Sequence, residues 1–246
     1  MIATIINALA IVAGSFLGLA FARKITDEMS DIIASAAGIV TLVIGMQMAF
    51  QTRNVIYLAL ALILGGIFGT WWDIDGLILS LGRFLERRFG GAKKSRVTDG
   101  QPTNSRFAYA FLNSSVLFCV GAMAIVGSFK AGVEKDYTML FTKSVLDGFM
   151  AIVFASAMGI GTAFSALSIL VYQGLLTLGS GFLKPFMTEQ MVAELTGTGG
   201  ALVLMIAVNL LGLRKLKTAN YLPALLIVAG FVLIDPWVQR IAAHFV

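Results

Sequence analysis

The sequence predicts an all-α fold: a polytopic bundle of transmembrane helices with about eight spans (seven or eight). Three observations predict it. Charged residues make up 13% of the 246 and apolar ones 58%, whereas a soluble domain carries roughly 25% charged residues. Mean hydropathy is +0.89. Apolar runs recur along the whole chain, each long enough to cross a hydrocarbon core of about 30 Å.

Composition also excludes several functions. The net charge of +5 sits in connections between apolar runs, where it sets orientation, and it does not indicate a nucleic-acid partner. The single cysteine, Cys119, permits no intramolecular disulfide and no metal-ligand cluster. The single histidine, His244, lies three residues from the end and reads as an interfacial residue, not a ligand. No cofactor motif is present, so none is expected.

The first span covers residues 2–22. Its end, Ala20-Phe21-Ala22, resembles a signal-peptidase site, yet no basic region precedes the run, and Arg23 and Lys24 follow it. It therefore reads as a retained first helix with its N-terminus outside. Further spans are expected at 32–50, 54–72, 107–129, 139–158, 162–183, 196–213 and 220–237. The whole chain, 1–246, reads as one integral membrane domain.

Only the third connection is long, covering 76–106. In "GLILSLGRFLERRFG", Ile78, Leu81, Leu85 and Phe89 recur at helical spacing beside Arg83, Arg87 and Arg88. This predicts an amphipathic helix in the interface, its arginines near anionic headgroups. The following "GAKKSRVTDGQPTNSR" is polar and reads as a flexible basic loop.

Eight spans place Arg23, Lys24, the seven basic residues from Arg83 to Arg106, Arg214, Lys215 and Lys217 on one side, twelve in all. The other side receives six: Arg53, Lys130, Lys135, Lys143, Lys184 and Arg240. The long loop is therefore expected in the cytoplasm and both termini outside.

A faint internal repeat aligns "TDEMSDIIASAAGIVTLVIGMQM" (26–48) without gaps on "TEQMVAELTGTGGALVLMIAVNL" (188–210). Thr26 then meets Thr188, Met29 meets Met191, and Gln47 meets Asn209. Apolar helices also resemble one another by chance. If the repeat is real, spans 1–3 correspond to spans 6–8 in opposite orientation, since an offset of five crossings is odd. Inverted repeats around a midplane site are a transporter architecture.

Asp147 in "TKSVLDGFMAIVFASAMGIG" is the first candidate site residue. A carboxylate within a span costs a few kcal/mol and commonly marks an ion or proton path. The alternative is an i,i+4 pair with Lys143 that staples the helix. Ser144, at i−3, could donate to it in either case. Small residues Ala151 and Ala155 follow at spacing four, as do Gly14 and Gly18 in the first span, so Asp147 shares the face that packs into the bundle.

Asn113, Ser114 and Ser115 form a polar cluster that reads either as interhelical glue or as oxygen ligands beside Asp147 for a dehydrated cation. Asn7, Gln47, Gln173 and Asn209 are isolated amides in four spans and together suggest a polar seam. In "TGTGG" (196–200), Thr196 and Thr198 belong either to a small-residue packing face or to a broken-helix start that binds a ligand, with Glu194 favouring a cation. Asn220 and Pro223 read as the cap and first turn of the last span.

Four stretches resemble the YqgA-type bacterial membrane proteins, the domain of unknown function 554: "IINALAIVAGSFLG" (5–18), "LFCVGAMAIVGS" (117–128), "KSVLDGFMAIVFASAMGIG" (143–161) and "TGTGGALVLMIAVNLLGLRKLKTANYLPALL" (196–226). The resemblance implies a multi-span protein of the bacterial cytoplasmic (inner) membrane, of sodium channel or pump type, with a link to biofilm formation. It carries no established catalytic residues.

A transporter or channel for a small cation, sodium or the proton, is the leading expectation, with the bilayer and that cation or another small solute as partners. An enzyme is not expected: there is no HExxH pair, no Gly-x-Gly-Asp motif with a second intramembrane Asp, and no Cys/His pair. The alternative is a non-transporting structural or regulatory membrane protein acting through its basic loop. Small-residue faces leave a homodimer open.

Overall fold

The computed structural model describes residues 1–22, 26–89 and 103–242. Arg23, Lys24, His244 and most of the expected basic loop lie outside these residues. Among the described residues the chain forms α-helices and no strand. In order these are α1 (Ile2–Ala22), α2 (Asp27–Ala49), α3 (Val55–Trp71), α4 (Ile74–Phe89), α5 (Thr103–Cys119), α6 (Ala122–Phe129), α7 (Thr138–Met158), α8 (Gly161–Leu183), α9 (Glu189–Leu210) and α10 (Pro223–Ala242). Among the described residues six helices are long and apolar enough to cross a membrane, or up to eight spans result if two bent pairs each count as one.

Local chemistry explains where the elements begin and break. Thr26 and Thr188 cap α2 and α9 identically, each accepting the N–H three residues on, at 3.3 and 3.1 Å. Asn54 caps α3 by accepting from Ile56 and Tyr57. Pro223 opens α10, where a missing N–H costs nothing. Gly121 (φ 132°) and Gly159 (φ 97°) hold backbone that other residues resist. They break α5 from α6, at 56°, and α7 from α8.

Four expectations need correction. The seventh span starts at Glu189, not at 196, so "TGTGG" lies inside a continuous helix. The fourth span is broken at Gly121 and ends in a π turn over Lys130–Glu134. The interfacial helix begins at Ile74, bent 58° from α3. Asn220 does not cap α10: it accepts the Asp75 N–H at 2.8 Å and donates to Thr70 at 3.3 Å, pinning the α3–α4 corner.

Close backbone contacts set the packing. At Gly14 and Gly18 of α1 any Cβ would collide with the carbonyls of Gly148 and Ile152 of α7. These contacts advance together along both helices, so α1 and α7 run parallel. Gly38 faces Leu211, Gly45 faces Leu204 and Gly200 faces Ala49, so α2 and α9 run antiparallel. Along α3 and α10, Tyr57 meets Asp235 while Gly69 meets Asn220, also antiparallel. Exposed Ile2, Leu9, Phe16, Ile67, Leu175 and Leu226 belong to the lipid-facing surface, with Trp71 and Trp72 at a helix end.

Candidate functional site

Asp147 lies nine residues into α7, roughly 13 Å from Thr138 and close to the middle of the helix. It is 7% exposed. The small-residue face turns it into the bundle, with Ala151 and Ala155 fully buried on the following turns. Its Oδ2 accepts from Asn7 Nδ2 of α1 at 3.0 Å and from the Lys143 ammonium one turn earlier on α7. Asn7 Nδ2 also donates to Gln173 Oε1 of α8 at 3.3 Å. Three helices thus meet at one polar centre.

Lys143 was expected at the membrane surface. It is 5% exposed and lies five residues inside α7, so it belongs to this centre and leaves the count of loop charges. The other side of the orientation count then falls from six to five. The i,i+4 pair expected as the alternative for Asp147 therefore exists, but it is buried and shared with two other helices. An ion pair at that depth is held only when the remaining polar capacity is satisfied or occupied.

That capacity is not satisfied within the chain. Asn7 Oδ1 and Gln173 Nε2 are buried and lack partners. Asp147 receives both of its hydrogen bonds on Oδ2, and its Oδ1 accepts none among the described residues. The centre thus offers two free oxygen acceptors, which suits a hard cation. The hydroxyls of Thr4 and Thr177, at i−3 from Asn7 and i+4 from Gln173, are buried and unpartnered too. Sequence reading missed both, although their helical spacing from the two amides placed them on the same faces.

The other expected residues do not join this centre. Ser144 donates to the Leu140 carbonyl at 2.7 Å, not to Asp147. Asn113 donates weakly to Met158 Sδ at 3.9 Å and Ser114 pairs with Thr162 at 3.3 Å. Met158 lies eleven residues beyond Asp147, roughly 16 Å along α7, so this cluster is not beside the carboxylate. It ties α5 to the α7–α8 corner, and the Ser115–Ser168 bond of 2.8 Å ties α5 to α8 about two turns further on.

The amide seam is not continuous either. Gln47 is exposed. Asn209 accepts the Leu216 N–H at 2.6 Å and donates to the Leu216 carbonyl at 2.9 Å and to Thr218 at 3.2 Å, folding the connection after α9 onto itself. In the antiparallel register of α2 and α9 the two amides stand about seven residues apart, roughly 10 Å.

Thr196 and Thr198 are buried in α9 with unpartnered hydroxyls. Gly197, Gly199 and Gly200 admit Thr52, Val120 and the α2 backbone, which makes this stretch a packing face. Glu194 is fully buried and its oxygens are occupied. They accept Arg53 N–H at 3.0 Å, Asn54 N–H at 2.8 Å and the Thr52 hydroxyl at 2.5 Å. It therefore anchors the α2–α3 turn. Among the described residues no group of His, Cys, Asp and Glu forms a metal cluster.

Residues 2–233 match the family described as "Protein of unknown function (DUF554)". The chain is 32% identical to "Uncharacterized membrane protein YdfK" of Bacillus subtilis (strain 168), over 92% of this chain and 93% of that protein. It is 26% identical to "Uncharacterized protein YqgA" of Escherichia coli (strain K12), over 92% and 94%. No solved structure matches it. Helices apolar enough to span a membrane, a match over nearly the whole length and a relative described as a membrane protein agree: the chain is a membrane protein and belongs to the DUF554 family.

Proposed function

We propose that the protein carries a small cation, sodium or the proton, across the bacterial cytoplasmic membrane, with Asp147 as the ligand that the cation meets. The observation that supports this most is the buried Asp147–Lys143 pair joined by Asn7 and Gln173 from two other helices. A cation bound at this centre takes Asp147 and Asn7 oxygens and displaces the Lys143 ammonium, which otherwise neutralises the carboxylate. Besides its main packing on α7, α1 also meets α8, while α2 meets α9 and α3 meets α10; these three contacts support the inverted repeat that such a carrier uses. A periplasmic or external position for both termini follows from the revised distribution of basic residues.

One observation favours a structural reading: Lys143 already satisfies the charge of Asp147. The two readings separate in proteoliposomes, with sodium, potassium and proton gradients applied to wild type, Asp147→Asn and the neutral pair Lys143→Met with Asp147→Asn. The expected outcome is flux of one cation that is lost in both variants while the doubly substituted protein stays folded. Wild-type flux through the neutral pair would overturn the proposal.

A further inference from the structure

We infer that the carboxylate centre is loaded from one face of the membrane only, through a cavity of about 400 Å³ between the start of α1, the π turn and the last turns of α8. This rests on the cation-carrier reading and makes the protein a carrier, not a channel.

The cavity is polar where it approaches the centre. Thr177 lines its floor, is 7% exposed and has a buried hydroxyl with no partner. One turn deeper on α8, roughly 6 Å, stands Gln173 with its free Nε2, and beside it Asn7 with its free Oδ1. Thr4, a turn from Asn7 toward the same end of α1, adds another orphaned hydroxyl. A buried polar atom without a partner is costly to keep. Three of the four, at Thr177, Asn7 and Thr4, are oxygens that can face a partly hydrated cation, and the Gln173 N–H₂ can donate to its water. Lys135 lines the cavity and donates to the Gly132 carbonyl at 3.2 Å, while Glu134 and Asp136 on the same connection offset its charge and that of Lys130 from outside the lining. Asp136 accepts the Thr138 N–H at 3.0 Å, which holds its carboxyl below the usual range and keeps it ionised.

The opposite side is closed. Ile11 lies one turn past Asn7 on α1, Ile169 one turn past Gln173 on α8, and Ala151 and Phe154 one and two turns past Asp147 on α7. All four are fully buried. With Phe118 of α5, whose ring centroid is 6.3 Å from that of Phe154, they form one apolar cluster. On all three helices the cluster lies beyond the centre, away from the cavity. A plug at least one helical turn thick with no polar lining does not pass a cation.

The test uses single cysteines in the full chain with Cys119→Ser, placed at Thr177 and Ser180 on the cavity and at Ala166 and Ile169 in the plug. Sealed vesicles of both orientations receive a membrane-impermeant methanethiosulfonate. Thr177→Cys and Ser180→Cys should react from the face carrying the N-terminus only, at least tenfold faster than from the other. With no ion gradient applied, which holds the carrier in the arrangement described, Ala166→Cys and Ile169→Cys should react from neither. Reaction of either plug position from the opposite face, or silence at both cavity positions in a folded protein, would overturn the inference. Labelling does not depend on transport, so one-sided labelling without flux of sodium, potassium or protons strikes down the carrier reading, and flux with two-sided labelling strikes down one-sided loading.

Discussion

At the scale of single residues, the Lys143–Asp147 pair decides the energetics of the centre. Both side chains are about nine-tenths buried, so neither charge has water to fall back on. Removing one partner leaves an uncompensated charge, a loss on the order of 3–5 kcal/mol for buried pairs, whereas replacing both by neutral groups is often close to neutral. Lys143→Ala and Asp147→Ala should therefore each lower the melting temperature in detergent by several degrees. The neutral pair Lys143→Met with Asp147→Asn should recover most of it. Losses that simply add would show that the two charges do not act as a unit. The sequence made Asp147 legible, because helical spacing alone turns it toward the small-residue face. It did not reveal Asn7 as its partner, since nothing local links positions 140 residues apart. Nor did it show the depth of Lys143, because i,i+4 spacing pairs two charges at any depth.

At the scale of elements, glycine placement governs how closely α1 approaches α7, and that approach brings Asn7 to Asp147. A Cβ at Gly14 would run into the Gly148 carbonyl, which cannot move without moving α7. At Gly174, beside Gln173 on α8, a Cβ would meet only the flexible end of Met1 at 3.6 Å, an ordinary contact. Gly14→Ala should then cost about 1–3 kcal/mol by overpacking. Gly174→Ala should be neutral or stabilise by about 0.5–1 kcal/mol through the lower entropy of the unfolded helix segment. Thermal unfolding in detergent checks the pair, and equal effects at both sites would contradict the parallel docking of α1 on α7. Helix boundaries were less legible than helix faces. "TGTGG" reads as a helix start only if Thr188 is ignored as a cap, and the matching Thr26 shows that the signal was there. The roles of Asn113, Ser114 and Asn209 depended on which helices are neighbours, which periodicity does not encode.

At the scale of the whole molecule, helix directions constrain the topology more tightly than helix lengths do. Six helices qualify as spans alone, and two bent pairs, α3–α4 and α5–α6, add a crossing each or none. Because α1 and α7 run parallel, the number of crossings from one to the other is even in step, so both bent pairs cross or neither does. α3 decides between these. It runs opposite α10 from Tyr57 against Asp235 to Gly69 against Asn220, the extent of a span that itself qualifies, and so reaches as far across as α10 does. Eight crossings are therefore expected, with the start of α5 on the face opposite Arg53. On that expectation the sequence assigns twelve basic residues to the face of the α5 start (two at 23–24, seven from Arg83 to Arg106, three at 214–217) and five to the other, Arg53, Lys130, Lys135, Lys184 and Arg240. Six crossings would move the Arg83–Arg106 group to the face of Arg53, and the same charge rule would then put both termini inside. Topology reporters inserted at residue 53, within 90–102 and at residue 135 separate the two. The eight-crossing arrangement requires the first and third to report the external face and the second the cytoplasm. Agreement of all three would leave six crossings and turn the cavity beside Thr177 toward the cytoplasm.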